Sequence, residues 1–290
     1  MAAVIMDGKA LGLKIRENMK TRSAALRENG ITPCLAVVLA GEDPASLSYV
    51  NSKEKALAEV GMDSCDIRLS GAVEETALIS IIADLNRDEK VHGILVQSPL
   101  PKHINEEKVI AAISPEKDVD CFHPVSVGNM ILGKPGFLPC TPHGVLLLLK
   151  EYNIPVSGAH TVVVGRSDIV GKPLANLLLR REYNATVTVC HTGTTDIARH
   201  TQQADILIVA AGNPEFLKPE MVKEGSAVID VGINRVPDSS KKKGYRVCGD
   251  VDPTVAEKAA FFTPVPGGVG PMTIAMLLQN VAEAAQRSKP

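Results

Sequence analysis

Tryptophan is absent from this chain, and only four tyrosines and five phenylalanines stand among its 290 residues, so few groups can stack on a flat heterocycle. Charge of one sign is also missing. Thirty-one basic residues stand against 33 acidic ones, a net charge of −2, which supplies no global field for nucleic acid or an anionic membrane. The run Lys241-Lys242-Lys243 reads as a solvated loop tip. The six cysteines, at positions 34, 65, 121, 140, 190 and 248, make no C-x-x-C pair and no Cys/His cluster of zinc spacing. No metal site is expected, and they read as reduced core thiols of a cytoplasmic protein. No apolar segment reaches bilayer-spanning length, and the N-terminal MAAVIMDGKALG holds only a short apolar run, so neither membrane insertion nor export is expected.

What is present is an alternation of strand-length apolar runs with helical patterns, the signature of a parallel α/β protein long enough for two domains. Strand patterns cover 33–41, 67–69 and 91–96, with helical ones at 44–61, 74–87 and 106–113. A looser Gly/Pro-rich stretch runs from Pro115 to Pro142, followed by a connecting helix to Tyr152. Further strands are expected at 161–164, 185–190, 204–212 and 226–234, then a rigid glycine-rich loop at 264–270 and a helix at 271–285 with Pro in its first turn. These patterns predict two α/β domains with a cleft between them as the default binding site. The first covers 1–140 and is rejoined by the C-terminal helix, 271–290; the second, 141–270, is a Rossmann-like parallel-sheet nucleotide-binding domain.

In TVVVGRSDIVGKP, Thr161 to Pro173, a β-branched stretch enters a glycine turn and then a helical pattern, as when a strand delivers its end to a phosphate. Gly165 permits the tight exit, Gly171 lets the next helix approach the sheet, and N–H groups at the helix start form an anion site. The spacing is neither G-x-G-x-x-G nor a Walker loop, because Pro173 stands where Ser or Thr would hold magnesium. An ordinary βα turn with two glycines is the alternative. About twenty residues past the turn, where an NAD-binding fold places an acid on the ribose hydroxyls, the sequence has His191-Thr192. With no acid to repel a 2′-phosphate, and with Arg166 and Thr192 able to donate to one, NADP is favoured over NAD. Arg166 as a solvated loop cation and His191 as a capping residue are the other readings.

The helix opened by Asp43 as N-cap and Pro44 at N1 carries Tyr49 and Lys53 at i and i+4. Ala56 and Val60 extend that stripe, so Lys53 lies on a mostly apolar face, whereas Lys55 lies about 200° around the helix. Such a lysine is either a snorkelling cation or a buried base whose pKa, ordinarily about 10.4, is lowered by desolvation. Tyr49 offers an aromatic face and a phenol, or simply packs in the core. Gln97 closes the strand VHGILVQ at its carboxyl end, where open α/β sheets bind ligands, or is a strand-end amide satisfied by backbone. In PEKDVDCFHP, Asp118 and Asp120 flank Val119. If extended, that segment points both toward an amino or guanidino-like ligand edge; otherwise both cap a turn.

Taken together, the residues resemble the family of bifunctional methylenetetrahydrofolate dehydrogenase/methenyltetrahydrofolate cyclohydrolase enzymes. The motifs that carry the resemblance are YVNSK at 49–53, VQSPLP at 96–101, PEKDVD at 115–120, GRSDIVGKP at 165–173 and PVPGGVGPMT at 264–273. It implies a folate-binding catalytic first domain, an NADP-binding second domain and a homodimer. It also implies two reactions in one cleft: hydride transfer from 5,10-methylenetetrahydrofolate to NADP⁺, then hydration of the methenyl product to 10-formyltetrahydrofolate. Lys53 would be the central catalytic group, oriented and tuned by Gln97, with Tyr49 packed on the folate rings and Asp120 accepting from the pterin edge. Folate contacts would come from Tyr49, Val50, Asn51, Ser52, Lys53, Val96, Gln97, Ser98 and Asp120. The loop Pro266, Gly267, Gly268, Val269 and Gly270 would close over folate and nicotinamide, and Gly165, Arg166, Ser167, Thr192 and Ile233 would hold the cofactor.

Two positions depart from the family's pattern: Ser98 stands where leucine is more usual, and Cys121 where glycine is usual. Strand alternation turns Ser98 away from the face used by Gln97. If glycine at 121 normally takes φ > 0, Cys121 strains the turn that aims Asp120. Two rivals differ in what they leave unused. A shikimate-type NADP dehydrogenase also uses a Lys and an Asp in an interdomain cleft, but its glycine fingerprint is absent and PVPGGVGPMT has no place in it. A non-catalytic nucleotide-binding sensor would keep the cofactor cleft without pairing Lys53 with Gln97.

Overall fold

The computed structural model describes residues 2–241 and 243–288; Lys242 of the expected basic loop tip lies outside the described residues, while Lys241 and Lys243 are exposed. In chain order the elements are β1 (Val4–Ile5), α1 (Gly8–Glu28), β2 (Cys34–Ala40), α2 (Pro44–Glu59), β3 (Asp63–Leu69), α3 (Glu75–Arg87), β4 (Gly93–Val96), α4 (Glu106–Ala112), α5 (Pro124–Ile131) and α6 (Cys140–Glu151). They continue with β5 (His160–Val164), α7 (Gly171–Leu178), β6 (Thr186–Cys190), α8 (Ile197–Thr201), β7 (Ile206–Val209), β8 (Ala227–Asp230), β9 (Asn234–Pro237), β10 (Tyr245–Cys248), β11 (Phe261–Phe262) and α9 (Val269–Arg287). The chain forms two compact units, one of Leu13–Cys140 with the chain from Ile274 onward, the other of the chain through Gly12 with Thr141–Thr273.

The Leu13–Cys140 unit is built on a three-stranded parallel sheet in the order β3-β2-β4. The central strand β2 is buried from Leu35 to Ala40, as expected of a parallel strand covered on both faces. In α3 the apolar residues recur at helical spacing, and Leu78, Ile82 and Leu85 are all buried. They share one core with Ala36, Val38, Ile94 and Val109, each large side chain contributing about 1.5–3 kcal/mol by leaving water. The loose stretch 115–142 conceals α5. That helix starts at Pro124 after His123, whose Nδ1 accepts from the Val125 N–H at 3.1 Å, and Gly128 blurs its periodicity.

The other unit carries a six-stranded sheet in the order β1-β11-β8-β7-β5-β6, parallel throughout. β5 leads to β6 on one side and then to β7 on the other, so the strand order reverses beside β5. Open α/β sheets bind ligands at the carboxyl ends of strands at such a point. The N-terminal segment, expected with the first domain, belongs here. Val4 and Ile5 pair with Phe261 and Phe262, the Asp7 N–H donates to the Tyr152 hydroxyl at 2.6 Å, and the Lys9 N–H donates to the Gly267 carbonyl at 2.9 Å. Only glycine fits at position 8, where a Cβ would stand 1.9 Å from the Gly268 oxygen.

Candidate active site

α2 starts where the Asp43 carboxylate accepts from the Ser46 N–H at 2.8 Å, with Pro44 in the first turn. Its buried face consists of Val50, Lys53, Ala56, Leu57 and Val60, so Lys53 is only 6% exposed, while Lys55 faces solvent. The Lys53 Nζ donates to Gln97 Oε1 at 3.0 Å and lies 4.5 Å from the centre of the Tyr49 ring. Gln97 follows β4 directly. Its N–H donates to the Val38 carbonyl at 2.8 Å, and its Nε2 donates to the Ser98 carbonyl at 2.6 Å. The strand-end reading of Gln97 fits these bonds: the Ser98 carbonyl takes the amide nitrogen, and the oxygen faces Lys53.

Asp120 comes from a turn seated on β4. A Cβ at Gly93 would stand 2.7 Å from Val119 Cγ1, so a glycine inside the strand marks a close approach of another chain segment. The Ile94 N–H donates to the Lys117 carbonyl at 2.8 Å. From α9, the buried Asn280 donates its Nδ2 to the Val119 carbonyl at 2.7 Å and to the Leu138 carbonyl at 2.9 Å. The extended geometry in which both acids point alike is not found. Val119 and Asp120 lie in a turn, and Asp118 caps it, accepting from the N–H groups of Phe122 at 3.1 Å and His123 at 2.8 Å. Cys121 sits at φ 60°, the left-handed conformation expected of a glycine there, and its thiol donates to the Phe137 carbonyl at 3.2 Å. The Cys140 thiol lies 3.6 Å from Asp120 Oδ1. Neither Cys140 nor Asn280 stands out in sequence, since one lies in a Gly/Pro-rich stretch and the other follows Gln279 on a helix.

Burial dominates the proton affinities. It lowers the Lys53 pKa, with the attraction of Asp120 opposing, and raises the Asp120 carboxyl against the pull of Lys53. Tyr49 is pushed up by burial and then by Asp120, so its phenol stays protonated. The effect is a lysine closer to neutrality than a surface one, held by an amide oxygen, an aromatic ring and a carboxyl. Tyr49, Lys53, Gln97 and Asp120 thus come together. Val50 faces the core, Val96 ends β4 half-buried, and Asn51 and Ser52 are exposed, with the Ser52 hydroxyl donating to the Ser48 carbonyl at 2.8 Å. Ser98 points its hydroxyl at the Glu106 carboxylate, away from the group that Gln97 holds.

In the other unit, β5 ends at Gly165, with φ 127° and no room for a side chain, since a Cβ would stand 2.1 Å from the Ala210 oxygen. At Gly171 a Cβ would meet the Gly165 oxygen at 2.2 Å, which lets α7 start close under the turn. The anion site expected from the first N–H groups of α7 does not form. Ser167 Oγ accepts from Val170 at 3.2 Å and Gly171 at 3.4 Å, the Ser167 carbonyl accepts from Lys172 at 3.0 Å, and Pro173 has no N–H. The side chains of Arg166, Ser167 and Thr192 are exposed at this rim. His191 caps its own loop, its Nδ1 accepting from the Gly193 N–H at 3.1 Å. Ile233, past β8, is 61% exposed although apolar. It borders a cavity of about 120 Å³ lined also by Pro266, Gly267, Gly268, Val269 and Gly270. A guanidinium and hydroxyls after β5 and β6, and an exposed apolar side chain after β8, all at the carboxyl ends of parallel strands, suit a phosphorylated ligand with a flat ring.

Comparison with known proteins agrees with this geometry. Residues 6–120 match the tetrahydrofolate dehydrogenase/cyclohydrolase catalytic domain, and residues 139–289 match the NAD(P)-binding domain of the same family. The bifunctional protein FolD of Exiguobacterium sibiricum is 56% identical over 98% of this chain and 100% of its own length. The crystal structure of the bifunctional FolD methylenetetrahydrofolate dehydrogenase/cyclohydrolase from Campylobacter jejuni superposes with a TM-score of 0.94 at 49% identity, covering 99% of both chains. That of the Trypanosoma brucei enzyme, complexed with NADP cofactor and an inhibitor, gives 0.95 at 41% identity with the same coverage. With both domain types matched in order over nearly its whole length, the chain belongs to the tetrahydrofolate dehydrogenase/cyclohydrolase family, as an enzyme with a catalytic and an NAD(P)-binding domain.

Proposed function

We propose that the chain oxidises 5,10-methylenetetrahydrofolate with NADP⁺ and then hydrolyses the methenyl product to 10-formyltetrahydrofolate, with Lys53 as the group that handles the proton. The observation that carries the reading is the buried Lys53, bound to Gln97 at 3.0 Å and set against Tyr49. The bound nicotinamide supplies a hydride acceptor. For that step the protein needs no acid or base, because the substrate's methylene carbon loses hydride as its own nitrogen lone pair forms the iminium; the residues need only position the reactants. Hydrolysis does need a base. Water attacking the methenyl carbon must lose a proton, which a lysine whose pKa burial lowers accepts. The C–N5 bond of the hydrate then breaks as its hydroxyl proton passes to N5, leaving the formyl group on N10. Gln97 Oε1 fixes the direction of the Nζ, the Tyr49 ring packs on the folate, and Asp120 accepts hydrogen bonds from the pterin edge.

The remaining assignments belong to the same proposal. Asn51, Ser52, Val96 and Ser98 border the folate, Val50 packs in the core beneath them, and the loop Pro266 to Gly270 closes over the nicotinamide. Gly165, Arg166, Ser167, Thr192 and Ile233 hold the cofactor, with Arg166 and Thr192 on the 2′-phosphate. The absence of an acid after β6 supports NADP over NAD. The chain works as a homodimer in the cytoplasm, where its six free cysteines stay reduced; no described helix is long and apolar enough to cross a membrane.

One spectrophotometric assay tests the reading, with methylenetetrahydrofolate and either NADP⁺ or NAD⁺, following reduced cofactor and the methenyl chromophore. NADP⁺ reduction with little methenyl accumulation is expected. Accumulation would leave a dehydrogenase with a weak second activity, and a preference for NAD⁺ would remove the role given to Arg166. Light scattering of the purified chain checks the dimer.

A further inference from the structure

Two buried carboxylates lie beneath the rim of the nucleotide-binding unit, and neither is accounted for by the chemistry above. Asp230 closes β8 and Asp250 follows β10; they are 2% and 0% exposed. Asp230 Oδ1 accepts from the N–H groups of Gly232 and Asp250, both at 2.9 Å, and Oδ2 accepts from Val251 at 3.0 Å. It thereby pins the segment that carries Asp250. Asp250 Oδ2 in turn accepts from the N–H groups of Ala211 at 2.7 Å and Gly212 at 2.8 Å, and Oδ1 accepts from Asn234 Nδ2 at 2.8 Å. The fit leaves no slack. A Cβ at Gly232 would stand 2.3 Å from the Asp250 carboxyl carbon, and one at Gly249 would stand 1.7 Å from Asp230 Oδ2.

The consequence is topological. Ala211 and Gly212 belong to the loop after β7, and Asn234 lies just past the loop after β8, which carries the exposed Ile233. Ala210, beside Ala211, is the residue against which Gly165 makes its tight exit from β5. One carboxylate thus ties together the loops after two neighbouring strands and supports the wall of a third. Backbone N–H groups buried in loops need acceptors, and a single anion that serves two loops also fixes the spacing between them.

We propose that Asp250 is a positioning residue for the dinucleotide: without touching it, the carboxylate holds the loops after β7 and β8 at the separation that cofactor binding requires. This rests on the reading above that NADP lies on these strand ends. In calorimetric titration with NADP⁺, Asp250→Asn is expected to weaken binding about ten-fold or more, because an amide cannot accept at both oxygen positions. Cofactor-free melting should move by only a few degrees, and cyclohydrolase turnover on methenyltetrahydrofolate should stay within about two-fold, because Lys53, Gln97, Tyr49 and Asp120 lie in the other unit. Unchanged NADP⁺ affinity in the folded variant would overturn the inference, as would a matching loss of cyclohydrolase turnover, which marks a merely structural role. If Asp250→Asn does not fold, Asn234→Ala, which removes one donor and keeps the carboxylate, should weaken NADP⁺ about three-fold; no weakening there would count equally against the proposal. A wild-type chain without NADP⁺ affinity would sink the cofactor reading itself and the inference with it, an outcome visible before any variant is made.

Discussion

The two units use burial in opposite ways. Around Lys53 the groups proposed for chemistry are a buried lysine and a half-buried phenol and carboxyl, whose proton affinities desolvation moves. Around Gly165 the groups offered to a ligand are exposed, and the buried ones, Asp230 and Asp250, shape backbone. Chemistry that moves protons near neutrality is helped by a shifted pKa, and around Lys53 burial is the largest cause of the shift. Binding a phosphorylated cofactor needs cations at the surface and a rigid frame beneath them. Substitutions in the first region should therefore change rate and pH dependence, and substitutions in the second should change affinity.

The largest expected effect lies at Lys53. Lys53→Met keeps length and apolar packing but removes the base, so cyclohydrolase turnover should fall on the order of 10³-fold, while folate affinity measured by fluorescence quenching changes less than about ten-fold. In the wild type the rate should climb with pH as Lys53 sheds its proton, from a pKa that burial holds below the ordinary lysine value. A folded variant that loses binding and turnover equally would erase the contrast between the two units.

Asp230 sharpens the contrast through stability. Burial, aided by the charge of Asp250, pushes its carboxyl from 3.8 up to about 6 against the pull of three backbone N–H groups. Because the folded value is raised, the native state holds the extra proton between these limits. The stabilisation is complete below pH about 4 and is lost as pH rises through about 6, an interval worth roughly 3 kcal/mol. Urea unfolding of wild type and Asp230→Asn should show their difference shifting by that amount against the wild type between pH 4 and 7. A pH-independent difference would mean that the carboxyl is ionised throughout.

The same contrast explains what could be seen before the structure. β2, α3 and β5 are marked by strong local patterns, and Lys53 announces itself as a cation on an apolar stripe. Gln97 is visible because a polar residue ends an apolar strand. Asp250, Asn280 and Cys140 carry no such mark, because the partners that give them a role are not sequence neighbours, as with Asn280 and Val119, 161 positions apart. β1 is two residues long and exists only through its pairing with β11. α1 buries few apolar side chains, mainly Leu11, Met19 and Leu26, too sparse a stripe to stand out. The expectation of free N–H groups at the start of α7 failed for a local reason, since a serine three residues earlier reaches them first.

Arg166 tests the surface side of the comparison. A charge-assisted contact with a phosphate contributes about 1.5–3 kcal/mol, so Arg166→Ala should weaken NADP⁺ about 30-fold in calorimetry and leave NAD⁺ within about two-fold. Equal weakening of both would place the guanidinium on a phosphate that the two cofactors share.

The smallest effect lies at Cys121, the one place where the Lys53 region depends on backbone as the cofactor region does. At φ 60° a side chain costs about 1–2 kcal/mol relative to glycine, yet this thiol is 1% exposed and hydrogen-bonded to the Phe137 carbonyl. Cys121→Ala removes the thiol and keeps the strain. Cys121→Gly removes both, and adds about 0.5–1 kcal/mol of unfolded-state entropy. The alanine variant should therefore be the less stable of the two by about 0.5 kcal/mol in urea unfolding, and the glycine variant should bind folate at least as well as the wild type. If alanine proves the more stable, the left-handed turn carries no strain worth relieving, and the aim of Asp120 is set by Gly93, Asp118 and Asn280 alone.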